Sequence, residues 1–444
     1  MNNEKRVNSL SKSITWFFIA GYILLLIYTY YRAEVHHLGL QPERYFKYYV
    51  ISILSILCWG VVLCLREEVR VKIILGAISL IMGLYMAEGA LHFFSLSRVT
   101  VATKLGIEFD QRTRLEVIKS FKAEGLDSVP ILISPHLLEQ GGIHQDGAVL
   151  FPFGGVSKKI TVGRNEGGKY SIYRSDRYGF NNPDREWDST NINWLMVGDS
   201  FTRGEAVQVG EEIAGQIRYL TNSTVINLGI SGNGPLTELA GLIEYAKSLR
   251  PRKVLWVYYE NDLDNMHQEK LVPILMQYLE DNFSQHLMGR QEEIDSELKE
   301  LIDKDTHFLL QKTKWLRLYN LRLKIRVLIG SDESAKVNAK IDPLFAKILT
   351  KAKERTEAWG GKLYFVYLPS FSHFNEQIDY DLYRKKTEVI ELVKGLSIPV
   401  IDIQHEVFSD HPDPLSLFPL RIIGHYNAEG YSEVARAIIS SIGD

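Results

Sequence analysis

Two segments about 225 residues apart carry side chains suited to nucleophilic chemistry. In the first, Val197–Ser200, a serine follows an apolar run and a glycine that permits a tight bend. In the second, His425 directly precedes an amphipathic run that begins near Asn427. A serine hydroxyl needs a neighbouring base to become a good nucleophile, and histidine most often supplies that base. Each residue alone could be structural, as a helix cap or a core histidine, but together they predict a nucleophile, Ser200, and its general base, His425.

Two further segments could stabilise the negative charge that develops on a carbonyl oxygen under attack. Gly229 lies in the glycine-rich run Asn227–Pro235, where backbone N–H groups can approach a ligand closely. Asn261 follows an apolar run that ends at Tyr258, and its carboxamide can donate a hydrogen bond. Either segment alone could be an ordinary turn. Their weight comes from the order of all four residue types along the chain: serine, glycine, asparagine, histidine.

Alternating apolar strands and amphipathic helices from residue 192 onward would bring these four segments together. Five runs are apolar on both faces, which is typical of a parallel sheet covered by helices. They are Trp194–Val197, Thr224–Leu228, Lys253–Tyr258, Leu363–Leu368 and Val400–Ile403. Helices are predicted at about 211–221, 236–249, 343–358, 381–394 and 428–441. In a doubly wound α/β sheet, ligands bind outside the carboxyl ends of the strands, which is where the serine, glycine and asparagine segments lie.

In this order the segments resemble the four blocks of the SGNH/GDSL hydrolase superfamily, which Ser200, Gly229, Asn261 and His425 would represent. The resemblance covers about residues 190–444, and Ser175–Phe180 also looks like the lead-in of membrane-tethered relatives. It implies a flavodoxin-like, doubly wound sheet of five parallel strands. It also implies an acyl-enzyme mechanism, with an oxyanion hole formed by the N–H groups of Ser200 and Gly229 and the side chain of Asn261.

Two positions depart from the family pattern. Tyr259 stands where the third block usually has a glycine, so a bulkier loop is expected. The family commonly has an aspartate two or three residues before the histidine, but Ile422 and Ile423 occupy these positions. The base then works in a dyad, or a backbone carbonyl orients it, or a carboxylate arrives from elsewhere, with Asp413 and Asp410 nearest in sequence. Loss of the acid can cost about 10⁴-fold in rate.

The first hundred residues predict a membrane anchor. Three apolar runs have close to the roughly 20 residues that a helix needs to cross a bilayer; they are Ile14–Tyr31, Tyr48–Leu65 and Val71–Phe94. A signal peptide fits the first run poorly, because no small-residue cleavage site follows it. A weak bias of Lys and Arg favours a cytoplasmic N-terminus. A multi-pass anchor in the inner or plasma membrane would then place the remainder in the periplasm or outside the cell.

The pattern predicts three regions along the chain. Residues 1–95 form the anchor, and residues 96–190 form a small, partly β lead-in. Residues 191–444 form an SGNH hydrolase-like catalytic domain, interrupted at about 264–335 by a charged helical insertion that could be a lid or a docking surface.

Composition argues against several other functions. The net charge of −3 gives no electrostatic support to nucleic-acid binding. Both cysteines, Cys58 and Cys64, lie in one apolar run, which leaves no thiolate metal site or disulfide framework after residue 100. No zinc-type histidine spacing or dinucleotide fingerprint occurs, so neither a metal nor another cofactor is predicted.

The leading hypothesis is a membrane-anchored serine esterase or O-acyltransferase that acts on ester groups of a cell-surface or exported glycan. Because three spans are few for carrying an activated acyl group across a membrane, a transferase would need a separate multi-span partner that delivers the donor. The alternative is a non-catalytic glycan-binding or scaffold subunit of a polysaccharide-processing complex, which the missing aspartate and the long insertion would suit.

Overall fold

The computed structural model describes most of the chain and divides it into two compact units. Described are residues 2–36, 42–94, 98–145, 148–306, 340–374 and 380–443, with Gly39, Leu318, Leu321, Arg322 and Ile325. One unit contains residues 1–95, 139–141 and 311–331, and the other contains 96–138, 142–310 and 332–444. The second half of the predicted insertion lies largely outside the described residues. Apart from residues 139–141 and 311–331, the predicted lead-in and catalytic region share one unit.

The first unit is built on three long helices, α1 (Asn2–Tyr30), α2 (Pro42–Cys64) and α3 (Glu67–Phe94). Each belongs to a stretch long and apolar enough to cross a membrane; the stretches are Arg6–Val35, Tyr45–Cys64 and Glu67–Leu91. Large apolar side chains such as Phe17 and Met86 face outward from these helices. Exposure of this kind is unfavourable in water and is relieved in lipid. The three predicted spans thus coincide with the three helices, and two of them extend one residue beyond the helix end.

The lead-in is a small mixed structure, partly β as predicted. Its elements are α4 (Arg98–Lys104), α5 (Arg114–Ala123), β1 (Ser128–Pro130), α6 (Ser134–Gln140), β2 (Ile143–Gln145), β3 (Ala148–Leu150), β4 (Ile160–Asn165) and β5 (Tyr170–Arg174). Strand β4 pairs in parallel with β1 and antiparallel with β5, while β2 and β3 form a separate antiparallel pair. The turn between β4 and β5 begins at Glu166.

A five-stranded parallel sheet forms the centre of the second unit. Its strands are β6 (Trp194–Gly198), β7 (Val225–Asn227), β8 (Lys253–Tyr259), β9 (Lys362–Leu368) and β10 (Val400–Asp402). Their order across the sheet is β10-β9-β8-β6-β7, and every pair is parallel. Counted from the first strand, this is the flavodoxin-like order 2-1-3-4-5. The predicted fold class is confirmed, with all five strands close to their predicted positions.

Helices follow the strands and cover both faces of the sheet. They are α7 (Ser200–Arg203), α8 (Ile213–Thr221), α9 (Pro235–Leu249), α10 (Asp262–Glu269), α11 (Pro273–Gln277), α12 (Gln291–Thr306), α13 (Pro343–Ala358), α14 (Tyr380–Gly395) and α15 (Ala428–Ile442). Successive side chains of β8 enter different cores: Trp256 packs with residues of α9 and α13, and Val257 with residues of α8 and α15. All carboxyl ends of the strands therefore open at one edge, between two helical layers.

Candidate active site

Ser200 and His425 meet at the carboxyl edge of the sheet. Strand β6 ends at Gly198, and α7 begins at Ser200, with Asp199 as its N-cap accepting a hydrogen bond from the Phe201 N–H at 2.9 Å. His425 lies just before α15 and is 8% exposed, as is Ser200. Its Nε2 lies 2.8 Å from Ser200 Oγ. The structure therefore brings the predicted nucleophile and the predicted base into direct hydrogen-bond contact.

Glu166, in the turn between β4 and β5, is the third member of this hydrogen-bonded group. Its Oε1 lies 3.0 Å from His425 Nδ1, and its Oε2 accepts the backbone N–H of His425 at 2.9 Å. One buried carboxylate thus holds both the ring and the main chain of the base. This is the geometry in which an acid fixes the tautomer of a catalytic histidine and stabilises its protonated form.

Asp413 and Asp410 do not take this place, which corrects the sequence-based suggestion. The carboxylate of Asp413 binds the two terminal nitrogens of Arg421 at 2.6 and 2.7 Å in a partly exposed pair, and Asp410 is exposed. Glu166 escaped prediction because it lies 259 positions from His425, in the region assigned to the lead-in. Its local signal is only an acidic residue in a turn between two short strands.

Arg98 connects the Glu166 turn to the loop that carries His425. Its Nη1 donates to the main-chain oxygen of Glu166 at 2.8 Å, and its Nη2 donates to that of Ile423 at 2.7 Å. Gly424 makes this close approach possible, since a Cβ there would lie 2.6 Å from Glu166 Oε2. The first helix after the anchor, α4, therefore helps to position the acid against the base.

The charges of this cluster shift the protonation of both partners. Burial alone would raise the pKa of Glu166, but the charge and hydrogen bonds of His425, together with Arg98, lower it to about 2. Burial alone would lower the pKa of His425, but the charge and hydrogen bond of Glu166, with the charges of Glu205 and Asp199, raise it. Glu166 is consequently ionised at neutral pH, and His425 is a stronger base than a free imidazole.

The predicted oxyanion-hole residues differ in what they offer. The N–H of Gly229 already donates to the Asn227 carboxamide oxygen at 2.8 Å, so it is not free for a substrate in this structure. A Cβ on Gly229 would lie 2.5 Å from the main-chain nitrogen of Arg203, so a glycine is needed here for close packing against α7. Asn261 precedes α10, and its buried side-chain oxygen has no hydrogen-bond partner among the described residues. That oxygen is an acceptor; the amide nitrogen of Asn261 would be the donor to an oxyanion, and this role, like that of the Ser200 N–H, stays a prediction.

Tyr259, which replaces the expected glycine, packs on Phe201, and Phe201 in turn packs on the base. Its ring stacks on Phe201 with centroids 4.0 Å apart, and the Phe201 ring lies 4.6 Å from that of His425. The Tyr259 N–H donates to Asp262 Oδ2 at 2.8 Å, which fixes the start of the Asn261 turn. The loop is bulkier, as expected, and the added ring supports the residue that follows Ser200.

The segment around Asp176 holds the lead-in against the site. The buried Asp176 carboxylate accepts hydrogen bonds from the Tyr178 and Phe180 N–H groups and from the Asn182 and Trp187 side chains. Burial raises the pKa of Asp176 to about 6 although these bonds oppose the shift. Asn182 in turn exchanges hydrogen bonds with the main chain of Asn227 at 2.8 and 2.9 Å. The motif thus fixes the loop that follows β7.

The sequence matches no protein-family model and no curated protein. Solved structures do resemble it. One is a lipolytic protein of the G-D-S-L family from Veillonella parvula, 14% identical, covering 56% of this chain and 98% of its own, with a TM-score of 0.34. Others are a lipase/acylhydrolase from Enterococcus faecalis (12%; 56% and 95%; 0.32) and an acetylxylan esterase from Geobacillus stearothermophilus (16%; 57% and 94%; 0.31). At these values the interpretation of the site rests on its own geometry.

The fold is the one that the SGNH/GDSL resemblance implied, and the roles it implied for the site residues stay predictions. The sheet has the flavodoxin-like strand order, and Ser200, Asn261 and His425 follow or adjoin its carboxyl edge. Among the described residues, no group of three or more His, Cys, Asp or Glu side chains could hold a metal ion. Separately, the hydrogen bonds that join Ser200, His425 and Glu166 form an arrangement that can activate a serine hydroxyl.

Proposed function

We propose that this chain is a membrane-anchored serine esterase or O-acyltransferase that acts on ester groups of a cell-surface or exported glycan. The observation that carries the proposal is one chain of hydrogen bonds, from Ser200 Oγ to His425 Nε2 at 2.8 Å and from His425 Nδ1 to Glu166 at 3.0 Å. A serine held in this way is activated for attack on a carbonyl carbon.

In the proposed reaction, Ser200 Oγ bonds to the ester carbonyl carbon while His425 Nε2 takes the hydroxyl proton. Glu166 stabilises the imidazolium without itself becoming protonated. The carbon–oxygen bond to the alcohol then breaks, and His425 returns the proton to the leaving alcohol. An acyl group remains on Ser200. Water or a sugar hydroxyl, deprotonated by His425, attacks this acyl-enzyme and restores the free serine.

The anchor motivates the choice of a glycan substrate. The three membrane-length helices precede the catalytic residues in the chain, and the weak Lys and Arg bias favours an external domain. Polysaccharides at the cell surface are ester-bearing polymers within reach of such a domain. If the acceptor is a sugar hydroxyl, a separate multi-span protein would supply the acyl donor, and the purified chain alone would hydrolyse esters but would not transfer acyl groups from a donor on the cytoplasmic side.

A serine-reactive fluorophosphonate tests the proposal on the full chain in detergent micelles. We expect covalent labelling of the wild type and its complete loss in Ser200→Ala. Ser416→Ala is the matched control, because Ser416 lies in the same unit near His425 and its hydroxyl only donates to the Asp413 main-chain oxygen. Labelling that survives in Ser200→Ala would contradict the assignment of Ser200 as nucleophile, and well-folded wild type that never labels would favour the scaffold function. The contact of Glu166 with His425 weakens one of the two arguments for that alternative, the missing aspartate, and leaves the long insertion as the other.

The rate of labelling is expected to rise with pH through the pKa of His425. Only neutral imidazole can accept the Ser200 proton, so activity is lost as pH falls below that pKa. Because Glu166, Glu205 and Asp199 together raise the pKa of His425, we expect the acid limb of the profile above the ordinary value of 6.5. The measurement is the second-order labelling rate between pH 5 and pH 9. A limb centred below 6.5 would contradict the assigned charges.

A further inference from the structure

Three arginines surround one glutamate next to the Ser200–His425 pair. Glu205 is fully buried, and its Oε2 accepts from Arg203 Nη2 at 2.8 Å while its Oε1 pairs with Arg164 Nε at 3.1 Å. Arg114, at the start of α5, is the third cation: burial lowers its pKa, the charge of Glu205 opposes this, and Arg164 and Arg203 lower it further. Arg203 and Arg164 thus pair directly with Glu205, and Arg114 lies close enough for its pKa to respond to all three charges.

This arginine cluster, defined as Arg114, Arg164 and Arg203, carries more positive charge than Glu205 neutralises. Two guanidinium nitrogens in it are buried and have no hydrogen-bond partner among the described residues: Arg203 Nη1 and Arg114 Nε. Arg203 as a whole is only 2% exposed. Buried donors without acceptors are costly, and an uncompensated buried charge more so. Glu205 Oε1 is likewise buried without a hydrogen bond, but one carboxylate cannot balance three guanidinium groups, so a further anion would give the two donors an acceptor and offset the excess positive charge.

The cluster is also open to solvent on one side and close to the reacting atoms. The side chain of Arg164 is 49% exposed, and Arg114 is partly exposed. Glu205 Oε2 lies 4.0 Å from His425 Nε2, and the Glu205 N–H donates to the main-chain oxygen of Ser200 at 3.0 Å. Arg203 and Arg164 therefore reach the Ser200–His425 pair through one shared carboxylate, that of Glu205.

We propose that Arg114, Arg164 and Arg203 form a subsite for a carboxylate carried by the ester substrate. The inference rests on the proposed function of Ser200 and names the chemical class of its substrate, an ester with a negative charge near the scissile bond. Planar guanidinium groups match a carboxylate through paired hydrogen bonds, which suits this ligand over a neutral hydroxyl. The carboxylate belongs either to the acyl group or to the alcohol, as in a uronic acid.

Two matched substrate pairs distinguish these sources, with the full chain in detergent micelles. For the acyl side, mono-4-nitrophenyl succinate is compared with 4-nitrophenyl butanoate. For the alcohol side, an acetylated methyl glucuronoside is compared with the acetylated methyl glucoside. We expect kcat/KM to favour the charged member of one pair by at least about tenfold, as one charge-assisted hydrogen bond would provide. This preference should shrink at high ionic strength.

The double variant Arg114→Gln/Arg164→Gln is expected to lower the charged-to-neutral ratio at least about tenfold. Arg112→Gln is the control and leaves the ratio unchanged, because Arg112 is exposed and paired with Asp110 at 2.7 Å. Buried Arg203 is left intact to preserve folding. An active wild type without a preference in either pair, or a preference that the double variant keeps, overturns the subsite.

Failure of the proposed function would look different, because Ser200 would then not react with a fluorophosphonate at all. In that case the subsite is judged by calorimetric binding of succinate and glucuronate to the full-length Ser200→Ala protein. Binding that Arg164→Gln weakens at least about tenfold supports the subsite, and absence of binding overturns it.

Discussion

Replacing Glu166 by glutamine is expected to lower kcat for ester hydrolysis by about 10⁴-fold. Glutamine keeps the size of the side chain but removes the charge that stabilises protonated His425. Its amide can also present a donor to Nδ1, which favours the wrong tautomer of the ring. The measurement is steady-state hydrolysis of 4-nitrophenyl acetate by the full chain. An unchanged midpoint of thermal unfolding in the same sample would show that the loss of activity does not come from unfolding.

Asp413→Asn and Asp410→Asn serve as controls for the same assay. Both lie nearer to His425 in sequence, yet Asp413 binds Arg421 and Asp410 is exposed, so activity should remain near that of the wild type. The residual activity of Glu166→Gln should also have its acid limb at lower pH, because the main charge that raises the pKa of His425 is gone. A large loss in Asp413→Asn with little loss in Glu166→Gln would refute the assignment.

Replacing Glu205 by glutamine is expected to destabilise the second unit by about 3–5 kcal/mol. The side chain is fully buried, and its removal leaves the equally buried guanidinium of Arg203 without its partner. For a unit of roughly 300 residues the midpoint of thermal unfolding shifts by about 1.6 °C per kcal/mol, so it should fall by roughly 5–8 °C. The measurement is thermal unfolding of the full chain in detergent, followed by circular dichroism.

Glu293→Gln is the matched control for this loss of charge. Its ion pair with Arg290 has a nitrogen–oxygen distance of 2.7 Å, close to the 2.8 Å between Glu205 and Arg203, but both side chains are about one-third exposed. Such surface pairs contribute about 0–1 kcal/mol. Equal shifts in the two variants would mean that the buried pair of Glu205 and Arg203 does not carry the stability assigned to it.

The parts of this molecule that sequence predicted are those with a local signal. The strands were visible because residues such as those of Trp194–Gly198 are apolar on both faces, and Ser200 because it directly follows the first of them. His425 was visible because it directly precedes the last amphipathic helix. Local patterns could not show that Asn227 occupies the Gly229 N–H, since this depends on the fold of a loop. Nor could they show Glu166, whose partner is 259 residues away.

The origin of Glu166 has a practical consequence for anyone who wishes to work with a water-soluble fragment. The boundary that sequence pattern suggests, at residue 191, would retain the whole central sheet and both Ser200 and His425. Such a fragment would nevertheless lack Glu166 in the β4–β5 turn and Arg98, which binds that turn to the loop of His425. Its histidine would therefore lack the carboxylate that orients it. A minimal enzyme cut from this chain must begin at or before Arg98, directly after the last membrane helix.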